Sequence, residues 1–190
     1  MSEMAHDELC GRISGNEIKR IAGSLASDSS RVVEWMERMF RAENPREIMN
    51  RAWVLSHVGK EIVRECLSPY YDAICRFAME DLPVRRGLIL GLLLKLEPPG
   101  EPNIRFLDFC LSHLVLPSEK DSCRAAMIYL AEKICKPYPE LSRELRLTID
   151  LLPPDIAPSI ACARRKVLGR IASSSSICLA DRAWDEQTEP

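Results

Sequence analysis

Cys110-Leu111-Ser112-His113 places a thiol and an imidazole three residues apart, which on a helix puts them on one face. Those two groups are the beginnings of a nucleophile pair or of a zinc site. Neither is completed: a nucleophile pair needs a third group to orient its base, and zinc needs a full ligand set at fixed spacing. His6 and His57 stand alone. Trp53 with Tyr70-Tyr71-Asp72 offers aromatic rings and a carboxylate, the residue types that stack on and read an extruded base. The same rings sit at helical core spacing, so packing between helices is the simpler account. Arg164-Arg165-Lys166, with Arg170 one turn on, is the densest basic patch. No Gly-rich phosphate loop, H-E-x-x-H, G-x-S-x-G or carboxylate metal loop occurs. These residues predict a protein that is not an enzyme and that carries no metal and no cofactor.

One pattern recurs along the chain. An Arg is followed by apolar residues at +3 and +4 in Arg51-Ala52-Trp53-Val54-Leu55, Arg86-Gly87-Leu88-Ile89-Leu90, Arg124-Ala125-Ala126-Met127-Ile128 and Arg164-Arg165-Lys166-Val167-Leu168. The intervals are 35 (51 to 86), 38 (86 to 124) and 40 (124 to 164) residues. A period of that length with helices on both sides of a turn marks a helical solenoid.

The elements that must carry these residues are delimited mostly by proline, which costs little at a helix boundary. Asn44-Pro45-Arg46-Glu47 predicts a helix start, with Asn as N-cap, Pro at N1 and Glu reaching back; the helix is expected to stop near Gly59 as a C′ residue. Further helices are expected over Asn16 to Leu25, Arg31 to Arg41, Glu61 to Leu67, from Ser68-Pro69 to about Met79, and from Leu82-Pro83 to before Glu97-Pro98-Pro99-Gly100. Others begin at Pro102-Asn103 and after Pro117-Ser118, and one covers Leu141 to Leu151. The last is framed by Pro153-Pro154 and Pro158 and ends near Ile171. Two-residue alternation and Asn-Gly or Asp-Gly turns are missing, so strands are not expected.

Composition sets the remaining limits. The 190 residues suffice for one domain with a sizeable core. No apolar run is long enough to span a bilayer, and the N-terminus reads as no secretory signal, so a cytoplasmic protein is expected, off the membrane. The eight cysteines, Cys10, Cys66, Cys75, Cys110, Cys123, Cys135, Cys162 and Cys178, are scattered without a C-x-x-C and read as reduced core residues. Net charge is −2. Both ends are acidic, and the body between them is mildly basic, well short of a dedicated nucleic-acid domain. The organisation expected is an acidic N-terminal segment over 1–10, a helical-repeat domain over 11–172 and a flexible C-terminal tail over 173–190 in which Trp184 stands out.

Helix pairs with an Arg early in the second helix resemble HEAT and armadillo-type repeats, most closely in Leu82-Pro83-Val84-Arg85-Arg86-Gly87-Leu88-Ile89-Leu90-Gly91-Leu92-Leu93. The chain also resembles small bacterial HEAT-like proteins of similar length. That resemblance lies in Arg51-Ala52-Trp53-Val54-Leu55-Ser56-His57-Val58, Pro69-Tyr70-Tyr71-Asp72 and Ala161-Cys162-Ala163-Arg164-Arg165-Lys166-Val167-Leu168, and covers roughly 45–171. It implies an all-α fold, an α/α superhelix of four to five helix pairs, and a scaffold or protein-interaction role without catalysis. The expected partner is another protein or peptide, bound by a monomer or weak homodimer. Because some HEAT-repeat proteins are DNA glycosylases, nucleic-acid binding is the second reading. The register of the arginines predicts a concave contact face made of Arg51, Arg86, Arg124 and Arg164, with His57 and Arg165 nearby. The competing structural account has each Arg pairing with carboxylates or helix carbonyls of the adjacent repeat.

Overall fold

The computed structural model describes residues 9–80 and 83–185, with the side chains of 83–85 and 174–185 left out. Most of the acidic segment expected at 1–10 lies outside the described residues, as does the end of the tail beyond Asp185.

The first three helices, α1 (Gly15–Leu25), α2 (Ser29–Arg41) and α3 (Pro45–His57), begin at short polar side chains. Ser14 Oγ accepts from the Glu17 amide at 3.3 Å, and Asp28 Oδ1 from the Ser30 amide at 3.0 Å. Asn44 Oδ1 accepts from the amides of Arg46 and Glu47 at 2.8 and 3.4 Å. Each satisfies an N–H that has no partner inside the helix. The Ser30 hydroxyl and amide also hold the Asp28 carboxyl below its ordinary pKa. Asn44-Pro45 therefore starts α3 as expected, but Glu47 does not close a capping box: its Oε1 is directed along the helix to Arg51. Gly59 also differs from expectation. It stands as the N-cap of the following helix at φ −53°, and no described residue has a positive φ. The end of α3 is met instead by Lys95, whose Nζ donates to the carbonyls of Ser56 and Val58 at 2.7 and 2.8 Å. That closure leaves no need for a left-handed residue.

The chain continues through α4 (Lys60–Leu67), a 3₁₀ turn (Ser68–Tyr70), α5 (Tyr71–Glu80) and α6 (Pro83–Leu93). Then follow α7 (Ile104–Leu114), α8 (Asp121–Cys135), α9 (Pro139–Asp150) and α10 (Pro158–Asp185). No strand occurs among the described residues, so the fold is all-α. The last helix passes the expected end near Ile171: the serines that follow are no helix breakers, and neither Pro nor Gly interrupts 170–185. The side chain of Trp184, singled out in the sequence, lies outside those described.

Packing divides the chain into two compact units, Met1–Phe106 and Leu107–Pro190. In the first, α1 packs on α2 and α3, α2 on α3 and α4, α3 on α6, and α5 on α6. In the second, α8 packs on α9 and α10, and α9 on α10. Contact with the next helix and the next but one, and of α3 with α6 across the short α4 and α5, is the stacking that a helical repeat requires, each layer being too thin to stand alone. Val32, Met36, Val54 and Leu55 fill the first core, and Met127, Ile128, Leu145 and Val167 the second, all fully buried. Each such side chain contributes about 1.5–3 kcal/mol relative to exposure.

Candidate binding site

The four register arginines are where a contact face was expected, and the structure turns three of them inward. Arg86 on α6 is 6% exposed, and its Nε donates to the Ala78 carbonyl at 3.1 Å, in the last turn of α5. Arg124 on α8 is 7% exposed and donates through Nε to the carbonyl of Leu114, the last residue of α7, at 2.8 Å. Arg164 on α10 donates through Nη1 to the Leu152 carbonyl at 3.3 Å, just past the end of α9, with Asp150 at 3.9 Å. Each guanidinium thus sits where carbonyls lack an intrahelical partner and the helix dipole is negative.

Arg51 is inward by another route. It is 4% exposed; its Nε and Nη2 both lie 2.7 Å from Glu47 Oε1, and its guanidinium is 4.8 Å from the Trp35 ring centre. Trp35 Nε1 in turn donates to the Arg51 carbonyl at 3.2 Å. Arg51, Arg86 and Arg124 are therefore corrected from a contact face to internal fastening. A long stem lets the charge reach a partner inside the protein, and burial without that partner would be costly. Arg164 is half-buried, while His57 and Arg165 are exposed. Of the remaining basic patch, Lys166 is exposed and Arg170 is bound to Glu132 on α8, over the Tyr129 ring.

The other candidates take local roles. His57 Nδ1 lies 3.0 Å from the Trp53 carbonyl and His113 Nδ1 2.9 Å from the Phe109 carbonyl. Each Nδ1 also lies beside the hydroxyl of the preceding serine, Ser56 at 3.2 Å and Ser112 at 3.1 Å, so both rings are held within their own helix. His113 stacks on Phe109 with centroids 3.9 Å apart, while Cys110 is buried. Asp72 accepts from Asn103 Nδ2 at 2.7 Å and Tyr71 is buried, so neither is presented with Trp53 as a base-reading set. All seven cysteines with described side chains are free.

Two surfaces went unnoticed in the sequence. In the first unit a cavity of about 490 Å³ is lined by Arg12, Arg46, Trp53, Met49 and Asn50, among others. Asn50 makes it possible: its Nδ2 donates to the carbonyls of Leu9 and Gly11 at 2.8 and 3.0 Å, fastening the segment that carries Arg12 to α3. A buried Asn in the middle of an amphipathic helix was the available signal. In the second unit Leu147 and Leu151 are 61% and 76% exposed, four residues apart at the end of α9. Their opposite face, Leu145 and Ile149, is buried.

Among the described residues no group of three or more His, Cys, Asp or Glu could hold a metal ion, and no helix is long and apolar enough to cross a membrane. No curated protein and no solved structure matches the chain. A HEAT repeat domain matches residues 5–171. Helices packed layer on layer within each unit are what that match covers, and the chain belongs to the HEAT-repeat family.

Proposed function

We propose that this protein is a non-enzymatic interaction module of the cytoplasm, a monomer or weak homodimer that binds another protein or peptide. HEAT-repeat membership supports a scaffold or interaction role in general. The observation that carries the particular reading is the leucine pair on α9. Leu147 and Leu151 form one apolar ridge on a helix whose other face is already packed, with the exposed Arg143 one turn before Leu147 and Arg146 and Asp150 on the same helix. An apolar centre with an arginine rim is the composition of protein contact surfaces. Within this reading Arg164 and Arg165 keep a contact role as solvent-reachable groups of the second unit, and His57 keeps one by itself in the first.

The test uses the full chain as bait, wild type against Leu147→Asp/Leu151→Asp. Both positions are exposed, so helicity by circular dichroism should be unchanged. A partner retained in stoichiometric amount by the wild type and lost from the variant supports the reading; equal retention by both sinks it. Sedimentation at rising concentration shows whether the ridge meets a second copy. Nucleic-acid binding is favoured by Arg143, Arg165 and Lys166, which are exposed and form no ion pair among the described residues. It requires a mobility shift that weakens steeply with salt; no shift at low salt removes it.

A further inference from the structure

The cavity in the first unit is built from two pieces of chain that Asn50 joins. On one side lie Arg12, Ile13 and Ser14; on the other lie Arg46, Met49 and Trp53 of α3. Arg12 and Arg46 are exposed at its mouth and form no ion pair among the described residues, although most arginines of α1 and α2 do. Trp53, Met49 and Ile13 make its wall apolar. Two cationic forks over an apolar wall call for a ligand that is anionic at one end and apolar at the other. The volume accommodates one or two amino-acid residues rather than a folded surface.

The charge of that anion is constrained as well. The first turn of α1, which borders the cavity through Ser14 and Gly15, carries Glu17, whose carboxylate is paired with Arg20 at 3.1 Å. The Glu17 amide is already taken by Ser14 Oγ. A dianionic phosphate would find fewer free amides at this helix start than phosphate sites use. A carboxylate, singly charged and planar, matches the arginine forks without calling on those amides. We infer that the Arg12–Arg46–Trp53 cavity binds a peptide carboxylate adjoining a large apolar side chain. This inference rests on the protein-interaction reading above and assigns one of its contacts to the first unit.

The probe is acetyl-Phe-Asp-amide, titrated into the ¹⁵N-labelled full chain, with acetyl-Phe-Asn-amide and inorganic phosphate as parallel arms. The expected result is a saturable shift of the Trp53 indole N–H together with amides of 12–15 and 46–50. The Asn peptide should bind at least fivefold more weakly. Arg12→Gln and Arg46→Gln, both at exposed positions, should each weaken binding of the Asp peptide at least fivefold with unchanged thermal unfolding. Absence of shifts, equal binding of the Asn peptide, or indifference to both substitutions overturns the assignment. Tighter binding of phosphate overturns the choice of carboxylate. A protein partner retained undiminished by the Arg12→Gln/Arg46→Gln variant would leave the interaction reading intact and remove this cavity from it.

Discussion

Arg51 and Arg164 hold the same place in the repeating pattern and live in opposite surroundings. In the first unit Arg51 is closed into its own helix by Glu47 and roofed by Trp35. In the second unit Arg164 keeps 30% of its side chain in solvent while reaching to the end of the preceding helix. Arg86 and Arg124 fall between, buried like the first and directed at carbonyls like the second. A buried ion pair and a cation on a helix end are different devices. The pair is sensitive to losing one member, because the survivor is a charge left in a place of low polarity. The helix-end cation answers a dipole and one or two carbonyls, and solvent can replace part of it.

The sharpest way to break this contrast is Arg51→Ala, which takes the guanidinium away from a Glu47 carboxylate that stays buried. A loss of about 3–5 kcal/mol in urea unfolding is expected. Joint replacement, Glu47→Leu with Arg51→Met, should recover most of that loss; a double variant as unstable as the single one contradicts the ion-pair account. Next in size is Arg124→Ala, which strands the Leu114 carbonyl and should cost about 1–3 kcal/mol. Arg124→Lys should retain part of the stability, since lysine supplies charge without the fork. A cost at Arg124 equal to that at Arg51 would erase the distinction.

Each unit also holds a buried thiol that can report on it separately. Burial pushes the Cys75 thiol on α5 up to about 12, with Asp72 adding to the effect. Burial likewise pushes Cys135 on α8 up to about 12, aided by Glu144. Unfolded thiols ionise near 9.0, so between that pH and about 12 the unfolded chain has released a proton that the native chain keeps. Stability therefore falls as pH rises through this window, by about 1.4 kcal/mol per pH unit for each thiol. Cys75→Ala and Cys135→Ala should each flatten the slope, measured by denaturant unfolding at a series of alkaline pH values. If only one does, only its unit governs the observed transition. The smallest effect is expected for Arg164→Ala, about 1 kcal/mol or less, because solvent already shares that site.

The sequence disclosed helix starts better than it disclosed the direction of side chains. Asn44-Pro45 was readable because a cap is a property of residue identity and position. The arginine period was readable for the same reason, and it led to the family. Where those arginines point was not, because their partners are main-chain carbonyls, which every residue carries and no letter marks. Glu47 was expected at its own helix start and was taken by Arg51 instead, a competition between two local geometries that spacing alone does not decide. The cavity was hidden for a third reason. Arg12 and Arg46 line one cavity where Asn50 grips the backbone at Leu9 and Gly11, a link without any sequence periodicity.

The helix ends closed from outside have one more consequence. Ala78 and Arg86 are 8 residues apart, Leu114 and Arg124 are 10, and Leu152 and Arg164 are 12. A long side chain arriving from the following helix absorbs those differences, where a glycine-type stop would dictate one fixed bend. Insertions and deletions in the connecting turns are therefore cheap for this molecule so long as the arginine survives, which leaves the turns as the places where its lineage can diversify.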